Sequence, residues 1–103
     1  MTRLMTVKRA KDEIKRLQEY VDLVETYQAE TLEKMIIKEY AYTSSIVGVI
    51  KELNGKGFTH NGEPIDRDYV VSVINSSKTT GELHRLLRLG YRAKIKPNKM
   101  RYL

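Results

Sequence analysis

Tyr91-Arg92-Ala93-Lys94-Ile95-Lys96-Pro97-Asn98-Lys99-Met100-Arg101-Tyr102 alternates apolar and basic residues on both sides of Pro97-Asn98. A period of two marks a half-buried strand, and residues that pair across a turn share a face. With Pro97-Asn98 as the turn, one face carries Tyr91, Ala93, Ile95, Met100 and Tyr102. The other is wholly basic, with Arg92, Lys94, Lys96, Lys99 and Arg101. The expectation is a C-terminal β-hairpin, although Pro-Asn is not a preferred two-residue loop.

Working back from it, Leu83, Leu86 and Leu87 mark the inner face of a helix that Gly90 would stop. Thr79-Thr80-Gly81-Glu82 fits a capping box at its start, and Asn75-Ser76-Ser77-Lys78 reads as a polar turn. Before that turn, Asp66 is suited to cap a helix carrying Val70, Val73 and Ile74. Asn61-Gly62 between short β-compatible arms signals a hairpin with Phe58 opposite Ile65. Ile46, Val49, Ile50 and Leu53 line a helix that Asn54-Gly55 would end. The order helix, hairpin, helix, helix, hairpin over residues 43–103 is that of a winged helix-turn-helix.

Residues 1–42 read as a helical arm. Neither Gly nor Pro occurs before Gly48, which favours helix throughout. Val7, Ala10, Ile14, Leu17, Val21 and Val24 follow the alternating three-and-four spacing of a coiled-coil seam. The phase fails at Gln28 and Thr31, and a new stripe begins at Leu32, Met35, Ile36 and Tyr40, so a break is expected between Thr26 and Thr31. The first stripe either pairs two copies in a homodimer or packs on the rest of the chain. The fold class expected is mainly α with small β-hairpins: a helical arm, then a winged helix.

Composition bounds the chemistry. The chain has 103 residues, no cysteine and two histidines, so disulfides and thiolate metal sites are excluded and no metal or cofactor is expected. No phosphate-cradling glycine loop, nucleophile with its base, or histidine–carboxylate cluster occurs, and no enzymatic activity is expected. No apolar run is long enough for a membrane span or a signal-peptide core. A cytoplasmic, nucleoid-associated protein without a membrane partner is the expectation. The net charge of +6 is localised: Leu83 to Leu103 holds seven basic residues and no acid, whereas residues 1–82 carry twelve basic and thirteen acidic ones. A basic surface on a folded segment suits an anionic polymer.

Two family resemblances accompany these patterns. Glu52-Leu53-Asn54-Gly55-Lys56-Gly57-Phe58, Gly62-Glu63 and Asp66 to Ile74 resemble a stretch of the recombinase domain of large serine recombinases. The catalytic serine domain and the aromatic residue usual after the second glycine are missing, so recombinase activity is not implied. The layout of an arm before a winged helix, with Lys78-Thr79-Thr80 and Lys94-Ile95-Lys96-Pro97, resembles Rok-type nucleoid-associated repressors. That resemblance implies minor-groove contacts by Thr79, Thr80, Lys94 and Lys96, although the long linker of that family is missing here.

The functional expectation is a repressor or nucleoid-type protein that binds duplex DNA through its last helix and a basic wing. Candidate contacts are Lys78, Thr79, Thr80, His84, Arg85, Arg88, Arg92, Lys94, Lys96, Lys99 and Arg101. Arg85 is best placed to read guanine, and the wing cations would hold phosphate. RNA binding by the same basic face remains open. So does a protein-interaction module, such as a phage-type inhibitor or adaptor, presenting Glu19, Asp22, Glu25, Glu30, Glu33 and Glu39 to a basic partner.

Overall fold

Four helix starts are each fixed by a short oxygen-bearing side chain that accepts from an otherwise orphaned amide. In the computed structural model, which describes residues 6–100 with side chains to residue 95, Thr6 opens α1 (Val7–Thr26) and Thr31 opens α2 (Leu32–Thr43). Ser45 opens α3 (Ile46–Gly55) and Asp66 opens α4 (Arg67–Ile74). The capping hydroxyl or carboxylate oxygens lie 2.9 to 3.2 Å from the amides they accept. Between α3 and α4 lie β1 (Thr59–His60) and β2 (Glu63–Pro64), and α5 (Glu82–Met100) follows α4. Among the described residues the protein is mainly α with one small antiparallel hairpin.

The break between α1 and α2 falls where the heptad phase fails. α1 closes at Tyr27 in an extended conformation, and the Lys38 ammonium donates to the Tyr27 and Glu25 carbonyls at 2.9 and 3.4 Å. A cation there complements the negative end of the helix.

α3 ends at the Gly55 expected from sequence, and the turn that closes it runs on to Gly57. The Phe58 amide donates to the Leu53 carbonyl and the Gly57 amide to that of Asn54, the pairing of a Schellman motif. Gly57 takes the left-handed position at φ +85°, which costs a side-chain-bearing residue about 1–2 kcal/mol. The hairpin keeps its expected register, with Thr59 opposite Pro64 and His60 opposite Glu63. Asn61 and Gly62, at φ +53° and +80°, give the twist that a two-residue loop requires. The Asn54 side chain closes the base of the hairpin: its Oδ1 accepts from the Ile65 amide at 2.8 Å, and its Nδ2 donates to the Ile65 carbonyl at 2.9 Å.

The core gathers Ile36, Ile37 and Tyr40 of α2, Val49 and Leu53 of α3, Val70 and Ile74 of α4, and Leu83 of α5. Residues 32–43, read in sequence as part of an arm, are thus built into the core shared by the later helices. α1 is different. Only its C-terminal end reaches the core, through Val24, with Tyr20, Leu23 and Tyr27 packed beside it. The radius of gyration is 16.3 Å, against about 13 Å for a compact chain of this length, because α1 projects.

Among the described residues the expected C-terminal wing is not formed; Arg101 and Tyr102 of its second arm lie outside them. Tyr91 to Lys96 and Pro97-Asn98 lie within α5, which passes through Gly90 without stopping. Leu83, Leu87, Tyr91 and Ile95 recur every four residues, so a helix sets them on one side. Tyr91 there packs against the core and meets the Tyr40 ring edge-on, with centroids 6.4 Å apart. Such a pair contributes about 0.5–1.5 kcal/mol beyond its buried area, which matches the roughly 1 kcal/mol that glycine costs inside a helix. The capping box is also replaced. α5 begins at Glu82, and the Gly81 carbonyl, rather than that of Thr79, accepts the first helical bond, from Arg85.

Candidate nucleic-acid interface

As a helix, the basic segment acquires a different face from the one alternation suggested. Arg85, Arg88 and Arg92 fall at three- and four-residue spacing and therefore form one stripe. Lys96 and Lys99 continue the spacing in sequence, with side chains outside the described residues, and Arg101 lies outside them altogether. Leu89 is exposed beside the stripe. Glu82 is the sole acid of α5, 3.8 Å from Arg85 in an exposed pair.

The stripe runs beside residues 75–81, the segment joining α4 to α5. Two of its arginines are tied to that segment. The Arg88 guanidinium donates through Nη1 to the Ser76 and Ser77 carbonyls at 2.9 and 3.2 Å. Arg92 donates from Nε to the Asn75 side-chain oxygen and from Nη2 to its carbonyl. These carbonyls close the C-terminal end of α4, where cations are favoured. Arg88 and Arg92 thus spend hydrogen bonds on the fold, and the Arg88 Nε–H is buried without a partner. Arg85 and Lys78 are exposed and make no such bonds.

His84 corrects the sequence reading most sharply. Expected on the outer face, it is 1% exposed. Its Nε2–H donates to the Val73 and Ile74 carbonyls at 2.8 and 3.1 Å, and Nδ1 accepts from the Thr80 amide at 2.9 Å. The imidazole joins the end of α4 to the start of α5, and those partners place its proton on Nε2. A buried His84 cannot touch DNA. Thr80 is drawn the other way as well: its hydroxyl shares a 2.6 Å hydrogen bond with the Tyr27 hydroxyl at the end of α1. Thr79 is half-buried. Lys94 leaves the stripe, and its ammonium donates to the Ser44 carbonyl at 3.2 Å, over the α2–α3 junction.

The structure therefore brings together Lys78, Arg85, Arg88 and Arg92 and separates His84 and Lys94 from them. Sequence reasoning placed a polar turn at 75–78 but missed its extension to residue 81 and the anchoring of its carbonyls by α5. The one legible signal of that anchoring was the spacing of arginines 88 and 92, which aligns them on a helix but not on a strand.

A second feature lies on the opposite flank of α5. A groove of about 840 Å³ runs between α1 and the start of α5, with Leu17, Tyr20, Leu23 and Leu86 as its apolar floor. Partial burial there raises the Tyr20 hydroxyl above its usual pKa. Among the described residues, no group of three His, Asp or Glu side chains is placed to hold a metal ion. No helix among them is long and apolar enough to cross a membrane. No family model, curated protein or solved structure matches this chain.

Proposed function

We propose that the protein binds duplex DNA, with α4, the 75–81 joint and α5 acting as a helix-turn-helix in which α5 approaches the major groove. The observation that carries this reading is the basic stripe of α5: Arg85, Arg88 and Arg92 share one helix face, and no acid follows Glu82 in the chain. A helix is the element that fits the major groove. Anchored by their bonds to the joint, Arg88 and Arg92 present their remaining N–H groups at fixed positions, as suits phosphate contacts that set register. Arg85 is held only by an exposed ion pair worth little, so its guanidinium is free to reach a base edge. The joint is longer than the three- or four-residue turn usual in this motif, and Lys78 on it extends the cationic surface toward the adjoining backbone. A transcription-regulating or nucleoid-associated role follows from that chemistry, and the candidate contacts contract to Lys78, Arg85, Arg88 and Arg92, with Lys96, Lys99 and Arg101 adding charge beyond them.

The test is binding of Lys78→Ala/Arg85→Ala to random-sequence duplexes. Loss of two phosphate or base contacts lowers affinity by about ten-fold or more at low salt while the circular dichroism stays native. Unchanged affinity in a folded variant removes this face from the function. Preferential binding of duplex RNA would reassign the same face to an A-form target.

A further inference from the structure

We infer that α1 is a self-docking helix, pairing antiparallel with α1 of a second copy so that each basic N-terminal half seats along the acidic half of the other. The inference goes beyond DNA binding and does not depend on it.

Three observations carry it. The first is an unpartnered apolar face: Val7 and Ile14 are 72% and 66% exposed and Leu17 and Val21 also lie open, whereas Val24, in the same stripe, is 5% exposed. The stripe is covered at its C-terminal end by the protein's own core and uncovered along the rest of its length. Seam spacing of this kind suits a second helix.

The second observation is charge, and it chooses the occupant and its direction. From Val7 to Arg16 five basic residues (Lys8, Arg9, Lys11, Lys15, Arg16) accompany two acids, a balance of +3. From Leu17 to Thr26 there are three acids (Glu19, Asp22, Glu25) and no base, a balance of −3. Parallel pairing of two copies sets like charge beside like. Antiparallel pairing sets +3 beside −3 twice, and like charges brought together are unfavourable in any helix pair. Pairing the two seams in opposite directions puts Ile14 against Leu17 of the second copy and Ala10 against its Val21. Lys8, Arg9 and Lys11 then run along the segment holding Glu19, Asp22 and Glu25.

The third observation is the groove between α1 and α5. Leu17 belongs both to the stripe and to the groove floor, so the two apolar surfaces are continuous. The groove carries Glu19, Asp22 and Glu82 against a single cation, Arg16, which is already paired with Glu13. An apolar floor with an acidic rim fits a basic amphipathic helix, and the N-terminal half of α1 is one. Because each copy offers both the helix and the groove, the contact closes with two-fold symmetry.

The chain has no cysteine, so introduced thiols report the geometry directly. Ala10→Cys chains and Val21→Cys chains are oxidised separately and as a mixture, without DNA, and circular dichroism checks each fold. The expected result is a disulfide-linked heterodimer in the mixture and little linkage in either variant alone, since only the mixed pair brings the two Cα positions within disulfide reach. Linkage of Ala10→Cys to itself indicates parallel pairing and overturns the proposal. So does a wild-type chain that sediments as a monomer at tens of micromolar, which would leave the stripe to a different partner. As a second reading, Glu19→Lys/Asp22→Lys alters only exposed positions, and at least a ten-fold weakening of wild-type self-association is expected.

Discussion

Replacing His84 with alanine separates the structural residues of α5 from its surface residues. The imidazole is fully buried, and its two nitrogens serve the Val73 and Ile74 carbonyls and the Thr80 amide. Removing it leaves at least one buried acceptor without a partner, at about 1–3 kcal/mol, and a part-buried donor, the Thr80 amide, at less. The vacated ring volume adds a cavity term. A loss of roughly 3–5 kcal/mol follows, a large share of the 5–15 kcal/mol typical of a domain. Arg85, the next residue, is exposed and held only by a 3.8 Å ion pair to Glu82, so Arg85→Ala is expected to stay within about 0.5 kcal/mol. Urea denaturation followed by circular dichroism measures both. With a slope of about 1–3 kcal/mol per molar, His84→Ala shifts the midpoint by at least about 1 M. A loss below 1 kcal/mol at unchanged slope would refute the claim that this ring holds α4 to α5.

Three further outcomes follow from the same geometry. Asn54→Ala removes both bonds to the Ile65 backbone and is expected to cost about 2 kcal/mol, measured by thermal or urea unfolding; no loss would mean that water replaces the side chain. Gly57→Ala is expected to destabilise by about 1–2 kcal/mol because of its positive φ, whereas the exposed Gly90→Ala inside α5 is expected to stabilise by up to about 1 kcal/mol; destabilisation by Gly90→Ala would contradict a continuous helix. Arg92→Ala, which unties Asn75, should weaken both stability, by about 1 kcal/mol, and duplex binding, while Arg85→Ala weakens binding alone.

The elements with local chemical signatures were legible in the sequence. Asn61-Gly62 set the hairpin and its register, Asp66 marked a helix start, and the failure of the heptad at Gln28 located the break after α1. The last helix was not. Over Tyr91 to Lys96 an alternating pattern also satisfies a four-residue spacing through Tyr91 and Ile95, and Gly90 and Pro97 punctuate the segment as they would a hairpin. What decides it is tertiary: Tyr91 gains Tyr40 as a packing partner only if α5 continues. His84 was illegible for a related reason. It sits at the edge of the leucine face, and what makes that edge an inner position is the end of α4, whose Val73 and Ile74 carbonyls accept from its ring. The basic site was legible as charge but not as geometry, because the carbonyls that occupy Arg88 and Arg92 belong to a joint whose path those arginines themselves fix.

The salt dependence of binding to duplex DNA tests the central claim most directly. Each phosphate contact contributes about −0.9 to the slope of log affinity against log salt. A stripe engaging four to six phosphates therefore gives a slope of about −4 to −5, with sub-micromolar binding at low salt. A chain that binds no duplex at low salt, or binds one with a slope near zero, would contradict the assignment of α5 as a DNA-binding helix.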